Sequence, residues 1–174
     1  MALVFKEWSF IVDALGKGLQ SLILRKGGIA EDADLMQSTG DKFYLMPTLF
    51  HQAETMLKSD WVAQLEGDRF HQTSNHVLIS YYAQVVLKKD ISDWEMVKKL
   101  NDQHAWKEDV ISERFNRWDK NISLMIVQVY ELNHTISLEM LPEYGGCKSW
   151  LNIDLPEEFE GKLIENKKIK GTFF

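Results

Sequence analysis

The chain has 174 residues, of which 45% are hydrophobic and 26% are charged, and its formal net charge is −6. This balance is typical of one globular domain with an apolar core and is unlike that of a disordered chain. An acidic chain is a poor match for proteins that coat duplex nucleic acid through counterion release, but it is compatible with a small basic site inside an acidic surface.

The single cysteine, Cys147, excludes both an internal disulfide and a cysteine-based zinc cluster. The two histidines His71 and His76 do not have the spacing of a zinc motif, so we expect no metal and no cofactor. The sequence shows neither an apolar leader nor a run of about 20 apolar residues, so we expect a cytoplasmic protein without a membrane partner.

The first predicted element is a helix. Apolar residues recur from Phe5 and Trp8 to Leu15 at the spacing of one buried helix face. Gly16 and Gly18 are expected to end this helix, because glycine adopts the left-handed C-terminal conformation at little cost. A mostly apolar strand is predicted over residues 19–25.

The next elements alternate between strand and helix. Strands are predicted over Lys42–Met46 and Val77–Leu87 from their apolar and β-branched composition. Thr48 is predicted as the N-cap of a helix that continues to about residue 57. Ser92 and Glu95 have the spacing of a capping box, which predicts a further helix to about residue 100.

A helix and two paired strands are predicted next. Ile111, Phe115 and Trp118 recur at i, i+4 and i+7, which predicts a helix with Phe115 and Trp118 in the core. The continuous apolar run Ile122–Leu132 predicts a central strand. The alternating segment His134–Met140 predicts a second strand joined to it by a turn at residues 133–134.

The last predicted strand is Lys148–Leu155, which precedes Pro156. We therefore predict a single α+β domain over residues 1–174, with its core at about 5–155 and a solvated tail at 156–174. Its sheet is expected to be mixed or antiparallel and flanked by helices.

The first candidate site is the run Arg25-Lys26-Gly27-Gly28 at the end of the second predicted element. Consecutive glycines allow backbone N–H groups to converge on an oxyanion, and two adjacent cations strengthen that preference. The alternative is an ordinary turn whose cations point to water. Arg25, Lys26, Gly27 and Gly28 are accordingly candidate ligand-binding residues.

Two further segments carry polar candidates. His51 and Gln52 fall in the first turn of the helix predicted after Thr48, where free N–H groups favour anions. A surface histidine without a function is the alternative for His51. Arg114 lies between the apolar and the solvated face of its helix, and His104 could cap, pack or react.

A second glycine pair occurs in the stretch Tyr144–Trp150. Cys147 follows these glycines, but a lone cysteine is more often a small buried apolar residue than a nucleophile. Tyr144 and Lys148 are the stronger candidates for ligand contact, and Trp150 or Trp106 is expected to stack on a base.

Four motifs occur in order along most of the chain: Lys-Glu-Trp, Leu-Arg-Lys-Gly-Gly-Ile, Pro-Thr-x-x-His-Gln and Tyr-Gly-Gly-Cys-Lys-Ser-Trp. With them, the segment from Phe5 to Leu155 resembles an uncharacterised bacterial family, a domain of unknown function. Met46 precedes Pro-Thr where we would expect Phe in this family, a departure that should affect packing only.

Residues 8–26 also resemble the opening of PUA-like or ASCH-type domains. In those small β-barrels, a groove between barrel and helices binds RNA, modified bases or nucleotides, and some members hydrolyse nucleoside amides with a lysine. This resemblance implies a barrel as one form of the sheet, and it implies that Arg25 and Lys26 face a phosphate or a base edge.

Three functions are compatible with these residues. The leading prediction is a module that binds nucleic acid or a nucleotide. The rival is a hydrolase or nuclease that acts on such a substrate, with His51 or His104 as the base and Lys26 or Arg25 stabilising negative charge. The third is a protein-interaction domain in which both glycine pairs are only turns.

Overall fold

The computed structural model describes residues 1–26, 40–49, 53–73 and 75–167. In these ranges the chain forms eight strands: β1 (Ala2–Trp8), β2 (Leu22–Arg25), β3 (Lys42–Thr48), β4 (His71–Thr73), β5 (His76–Ile91), β6 (Ile122–Glu139), β7 (Trp150–Ile153) and β8 (Gly161–Leu163). The α-helices there are α1 (Ser9–Gly16), α2 (Ala53–Met56), α3 (Ser59–Val62), α4 (Trp94–Lys98) and α5 (Glu108–Asn116), and single 3₁₀ turns span Gly67–Phe70, Asn101–Gln103 and Pro142–Tyr144.

The strands form one mixed sheet in the order β2-β6-β5-β3-β1-β7, with β4 added to β5 and β8 added to β6. β1 and β3 are parallel, and the other pairs are antiparallel. The predicted α+β class with a mixed sheet is therefore confirmed. Within the described ranges the sheet is open, so the alternative of a closed barrel is not the observed form.

The first element differs from the predicted helix. Residues 2–8 form β1, in which Phe5 pairs with Leu45 of β3 and with Trp150 of β7. The helix begins only at Ser9, and its buried face contains Ile11, Val12 and Leu15 of the predicted pattern. The helical spacing was correct from residue 9 onward, but sheet pairing determines the structure of the residues before it.

Two predicted caps are also corrected. Thr48 ends β3 instead of capping a helix, and its hydroxyl donates to the Glu7 carbonyl at 3.1 Å. The residue that caps α4 is Asp93, not Ser92, because the Asp93 side chain accepts from the Glu95 N–H at 2.9 Å. Asp and Ser are both strong N-caps, so the pattern located this helix start to within one residue.

β5 and β6 form a long antiparallel ribbon at the centre of the sheet. The turn predicted at residues 133–134 is wrong, because β6 continues without interruption from Ile122 to Glu139. Its far half pairs with the start of β5, where His76 is opposite Glu139. The polar residues of this half are exposed, which explains why they read locally as a turn.

Apolar side chains cover both faces of the sheet. The larger cluster packs one face against α1 and the other helices. It includes Ile11, Leu15, Ile23, Ile126, Val127 and Val129, with Trp8 partly buried beside them. The smaller cluster lies on the opposite face, where Phe159 packs on Tyr44 with ring centroids 4.8 Å apart.

The predicted solvated tail is only partly exposed. Phe159 joins the smaller cluster, and β8 pairs with Tyr130–Leu132 of β6. Residues 156–167 are thus part of the packed domain, and residues 168–174 lie outside the described part of the chain. None of the helices in the described ranges has the length and apolar character needed to cross a bilayer.

Ile126 provides a direct check on the central strand. It is buried in β6, where it pairs with Leu22 of β2 and Leu87 of β5. Ile126→Val is expected to lower the free energy of unfolding by about 0.5–1.5 kcal/mol, because one buried methylene is lost. Val86→Ala, at an exposed position of β5, should change it by less than about 0.5 kcal/mol. Equal losses in urea titrations of the two variants would contradict the placement of this strand.

Candidate functional site

Charged residues meet at the carboxyl end of β1. Lys6 and Glu7 lie inside this strand and are only 7% and 2% exposed. The guanidinium of Arg25, at the end of β2, donates from Nη1 to the Lys6 carbonyl at 3.2 Å and lies with Nε 3.8 Å from Glu7 Oε2. It also stacks over the Phe5 ring at 5.0 Å from the centroid, so the side chain is held by three contacts.

The second glycine pair is tied to the same end of β1. Lys6 Nζ donates to the carbonyl oxygens of Tyr144 and Gly146, each at 2.9 Å, and of Gly145 at 3.3 Å. Burial lowers the pKa of Lys6; Cys147 opposes the shift. Because Arg25 donates to the Lys6 carbonyl, the predicted site residue Arg25 and the loop around Tyr144 lie on two sides of one lysine.

Arg114 approaches the same region from α5. Its guanidinium lies over the Trp106 ring at 3.9 Å from the centroid and near the Trp8 ring at 5.8 Å. Its Nη1 donates to the Leu24 carbonyl of β2 at 3.4 Å. The sequence placed Arg114 at the border of an apolar face, and the structure shows it packed on two tryptophans.

We call Lys6, Arg25 and Arg114 the cation cluster. Burial lowers the pKa of Arg114 to about 10, the charge of Glu7 opposes this change, and repulsion from Arg25 adds to it. Two of these cations, Arg25 and Arg114, interact with the buried carboxylate of Glu7, and the ammonium of Lys6 adds a third positive charge that repels Arg25. Because charges withdrawn from water need compensation, this arrangement favours a bound anion.

The Lys26 side chain contacts the loop after α5. Its Nζ donates to the carbonyl oxygen of Asp119, to the Asn121 carbonyl at 3.0 Å and to Asn121 Oδ1 at 2.7 Å. These contacts occupy the ammonium donors, so in this conformation Lys26 fixes the loop after α5. A direct phosphate contact or a catalytic role for Lys26 has no support in this geometry.

The tryptophans predicted to stack on a base are buried. Trp150 is 3% exposed, and its ring packs against Phe5 and Phe43 with centroids 4.4 and 5.0 Å apart. Trp106 is also buried, under Arg114. Neither ring has a face open to a base, so these two residues are corrected to core positions.

The remaining loop residues are accessible. Lys148 and Cys147 are exposed, and Tyr144 is partly buried. The charge of Lys148 contributes to the lowered pKa of Lys6, so Lys148 lies within electrostatic reach of the cation cluster. Lys148 therefore stays a candidate for ligand contact.

His51 and His104 are the two candidate histidines. His51 and Gln52, like Gly27 and Gly28, lie outside the described residues, but β3 ends at Thr48 directly beside Trp8 at the carboxyl end of β1. His104 is 1% exposed, and burial lowers its pKa to about 3. A side chain so enclosed cannot reach a substrate in this conformation, so His104 is not supported as a general base.

Trp118 is not in the core. α5 ends at Asn116, and Trp118 lies beyond it with 77% of its surface exposed and a φ of 59°. Phe115 is buried as predicted. The i, i+4, i+7 spacing included Trp118 only on the assumption that the helix continued one more turn.

Sequence reasoning missed Lys6 and Glu7 as site residues. They were noted only as part of the Lys-Glu-Trp motif, inside a segment interpreted as helix. Two adjacent charges in an otherwise apolar strand are the signal that could have identified them, because a buried charge needs a partner. Across the described ranges, no three or more His, Cys, Asp or Glu side chains form a group suited to a metal ion.

A family model described as "Domain of unknown function (DUF1802)" matches residues 4–166, and the chain belongs to this family. The expected membership of an uncharacterised family is thereby confirmed. Comparisons with curated proteins and with solved structures gave no match.

Proposed function

We propose that this member of the DUF1802 family binds nucleic acid or a nucleotide, with a phosphate group at the cation cluster. The observation that supports this most directly is the excess of positive charge at the carboxyl end of β1. Arg25 pairs there with the buried carboxylate of Glu7, Arg114 also interacts with the charge of Glu7, and Lys6 adds a third cation. A cytoplasmic location, where nucleotides are abundant, is part of the same proposal.

Arg25 and Arg114 are the expected phosphate ligands. A guanidinium presents several N–H donors in one plane, and the structure records one of them on a backbone carbonyl for each arginine. The remaining fork suits the oxygens of a phosphate. Lys6 is expected to act through its charge, because its ammonium already donates to three carbonyl oxygens of the loop at 144–146.

Binding is a better match to the geometry than hydrolysis. The hydrolase alternative needs a general base beside the anion site, and the described candidate, His104, is enclosed and neutral. The anion site itself needs only the cations and donors that are in place. A binding module is therefore the function we propose, and hydrolysis by His51 stays a sequence prediction.

Arg25→Gln tests the proposal. It should weaken binding of a labelled single-stranded oligonucleotide about 10- to 150-fold, since hydrogen bonds to charged groups contribute about 1.5–3 kcal/mol. Wild-type affinity should also fall steeply with salt. Fluorescence anisotropy titrations at two salt concentrations measure both effects, and thermal melting shows whether each variant is folded.

Two further variants make this test decisive. Lys162→Gln removes one positive charge from exposed β8, about 25 Å along β6 from Arg25, and should leave binding unchanged. Glu7→Gln removes the carboxylate that competes with the ligand and should tighten binding. Unfolding cannot produce tighter binding. Equal affinities of wild type and the Arg25 and Glu7 variants would overturn the proposal.

A further inference from the structure

Trp118 combines exposure with an unfavourable backbone conformation. Its ring is 77% exposed, and its φ of 59° lies in the left-handed region that bulky residues rarely adopt. Burial of the ring does not compensate for this cost, because most of the ring is in water. Strain at an accessible aromatic residue is typical of positions that contact a ligand.

The loop that carries Trp118 is fixed from the end of β2. Lys26 Nζ donates to the carbonyl oxygens of Asp119 and Asn121 and to Asn121 Oδ1, one and three residues after the tryptophan. Since Lys26 is the neighbour of Arg25 in the chain, the loop and the cation cluster are attached to the same strand end. The backbone next to the exposed ring is thus attached to the strand end that carries Arg25.

Positive charge connects the ring to the cation cluster. Arg117 lies 5.9 Å from the centroid of the Trp118 ring, although Glu113 pairs with it at 2.6 Å. One helical turn earlier, Arg114 donates to the Leu24 carbonyl of β2. Lys120, on the other side of Trp118, is exposed. From residue 113 to 120 three cations (Arg114, Arg117 and Lys120) outnumber two acids (Glu113 and Asp119), and this excess of positive charge beside an open aromatic face is complementary to a nucleic acid strand.

We propose that Trp118 is a platform on which an unpaired base stacks, while a neighbouring phosphate of the same strand contacts Arg25 and Arg114. This inference rests on the proposed function and narrows its ligand to single-stranded nucleic acid. In a duplex both faces of each base are covered by its neighbours, whereas an unpaired base offers a free face to an aromatic ring. Charge favours this ligand over a protein partner.

The test compares Trp118→Ala with Trp118→Phe on three probes: a labelled single-stranded oligonucleotide of about 12 nucleotides, the same sequence as a duplex, and inorganic tripolyphosphate. Trp118→Ala should weaken single-strand binding about 5- to 150-fold, and the phenylalanine variant should retain most of the affinity. Tripolyphosphate binding should not change, because it contains no base. The duplex should bind weakly to all forms.

Leu163→Ala is the matched control, because Leu163 is also an exposed apolar residue but lies on β8. This variant should bind all probes like wild type. If Arg25→Gln weakens binding but Trp118→Ala does not, the stacking inference fails and the proposed function stands. An equal loss of tripolyphosphate binding in Trp118→Ala would also overturn stacking, because the loop would then only shape the anion site. If wild type binds none of the probes, both proposals fail and a protein partner becomes the better explanation of Trp118.

Discussion

Acidification from neutral pH to about pH 3 is expected to lower the free energy of unfolding by on the order of 4–5 kcal/mol through His104 alone. Burial lowers the pKa of this imidazole from 6.5 to about 3, and the positive charges of Lys58 and Arg114 add to the shift. The folded protein therefore keeps His104 neutral over a range in which the unfolded chain protonates it.

The sign of this pH effect on stability follows from the difference in proton binding between the folded and unfolded states. Between pH 6.5 and about 3 the unfolded state binds a proton at His104 that the folded state does not, so falling pH favours the unfolded state. The stability contribution is complete above the unfolded pKa and is lost progressively below it. Urea titrations from neutral pH to about pH 5, above the usual pKa of carboxylates, should show a loss of roughly 2 kcal/mol from this group.

His104→Gln is the comparison that isolates this effect. Glutamine keeps hydrogen-bonding atoms but does not titrate, so the variant should show a much flatter pH dependence in this window even if it is less stable at neutral pH. His71, whose pKa burial also lowers, titrates equally in both proteins and cancels. Parallel pH profiles for wild type and variant would show that His104 is accessible to protons in the folded state.

The second large effect is expected at Asp13, a fully buried carboxylate of α1. Arg69 Nη2 lies 2.9 Å from Oδ1, Lys17 Nζ lies 3.0 Å from Oδ2, and the Glu66 N–H donates to Oδ2 at 2.7 Å. Asp13→Ala should lower the free energy of unfolding by about 3 kcal/mol. We expect the low end of the range for buried pairs, because the side chains of both cations reach solvent.

The control for Asp13 is a pair at the surface. Glu95 and Lys98 form an ion pair of 2.6 Å on α4, with both side chains accessible. Glu95→Ala should cost less than about 1 kcal/mol, because exposed pairs gain little over hydration. Chemical denaturation of the two variants provides the comparison. Similar losses would mean that Asp13 does not anchor α1 to the turn at Gly67–Phe70 by charge.

The strands with unbroken apolar runs were predictable from the sequence, and the boundaries set by pairing were not. The first part of β6, residues 122–132, and the strand β3 were located correctly, because continuous burial leaves a continuous apolar pattern. A turn was predicted between this part and the rest of β6, but the long partner strand β5 keeps the whole of β6 extended. Propensity acts over a few residues, whereas the register with β5 is a property of the whole sheet.

The candidate site was predictable in part. Arg25 and the loop around Tyr144 were identified because cations and glycines are visible in the sequence. The contacts that each cation makes could not be predicted. Lys26 contacts the loop after α5, whereas Lys6, in an otherwise apolar strand, contacts the glycine loop. Trp118 is exposed because α5 ends at Asn116, one turn earlier than predicted, and Trp150 is buried because β7 pairs it with Phe5 of β1.

β2 has a consequence beyond its size. It is a four-residue edge strand whose ladder runs along β6, yet Leu24, Arg25 and Lys26 at its end hold α5, the end of β1 and the loop of Trp118. Edge elements open locally at a lower free energy than the centre of a sheet. Fraying of this one strand would separate the cations and release the aromatic loop in the same event. Under the proposed function, ligand affinity and the local stability of β2 are linked, because an anion bound at the cation cluster and closure of the edge would each strengthen the other.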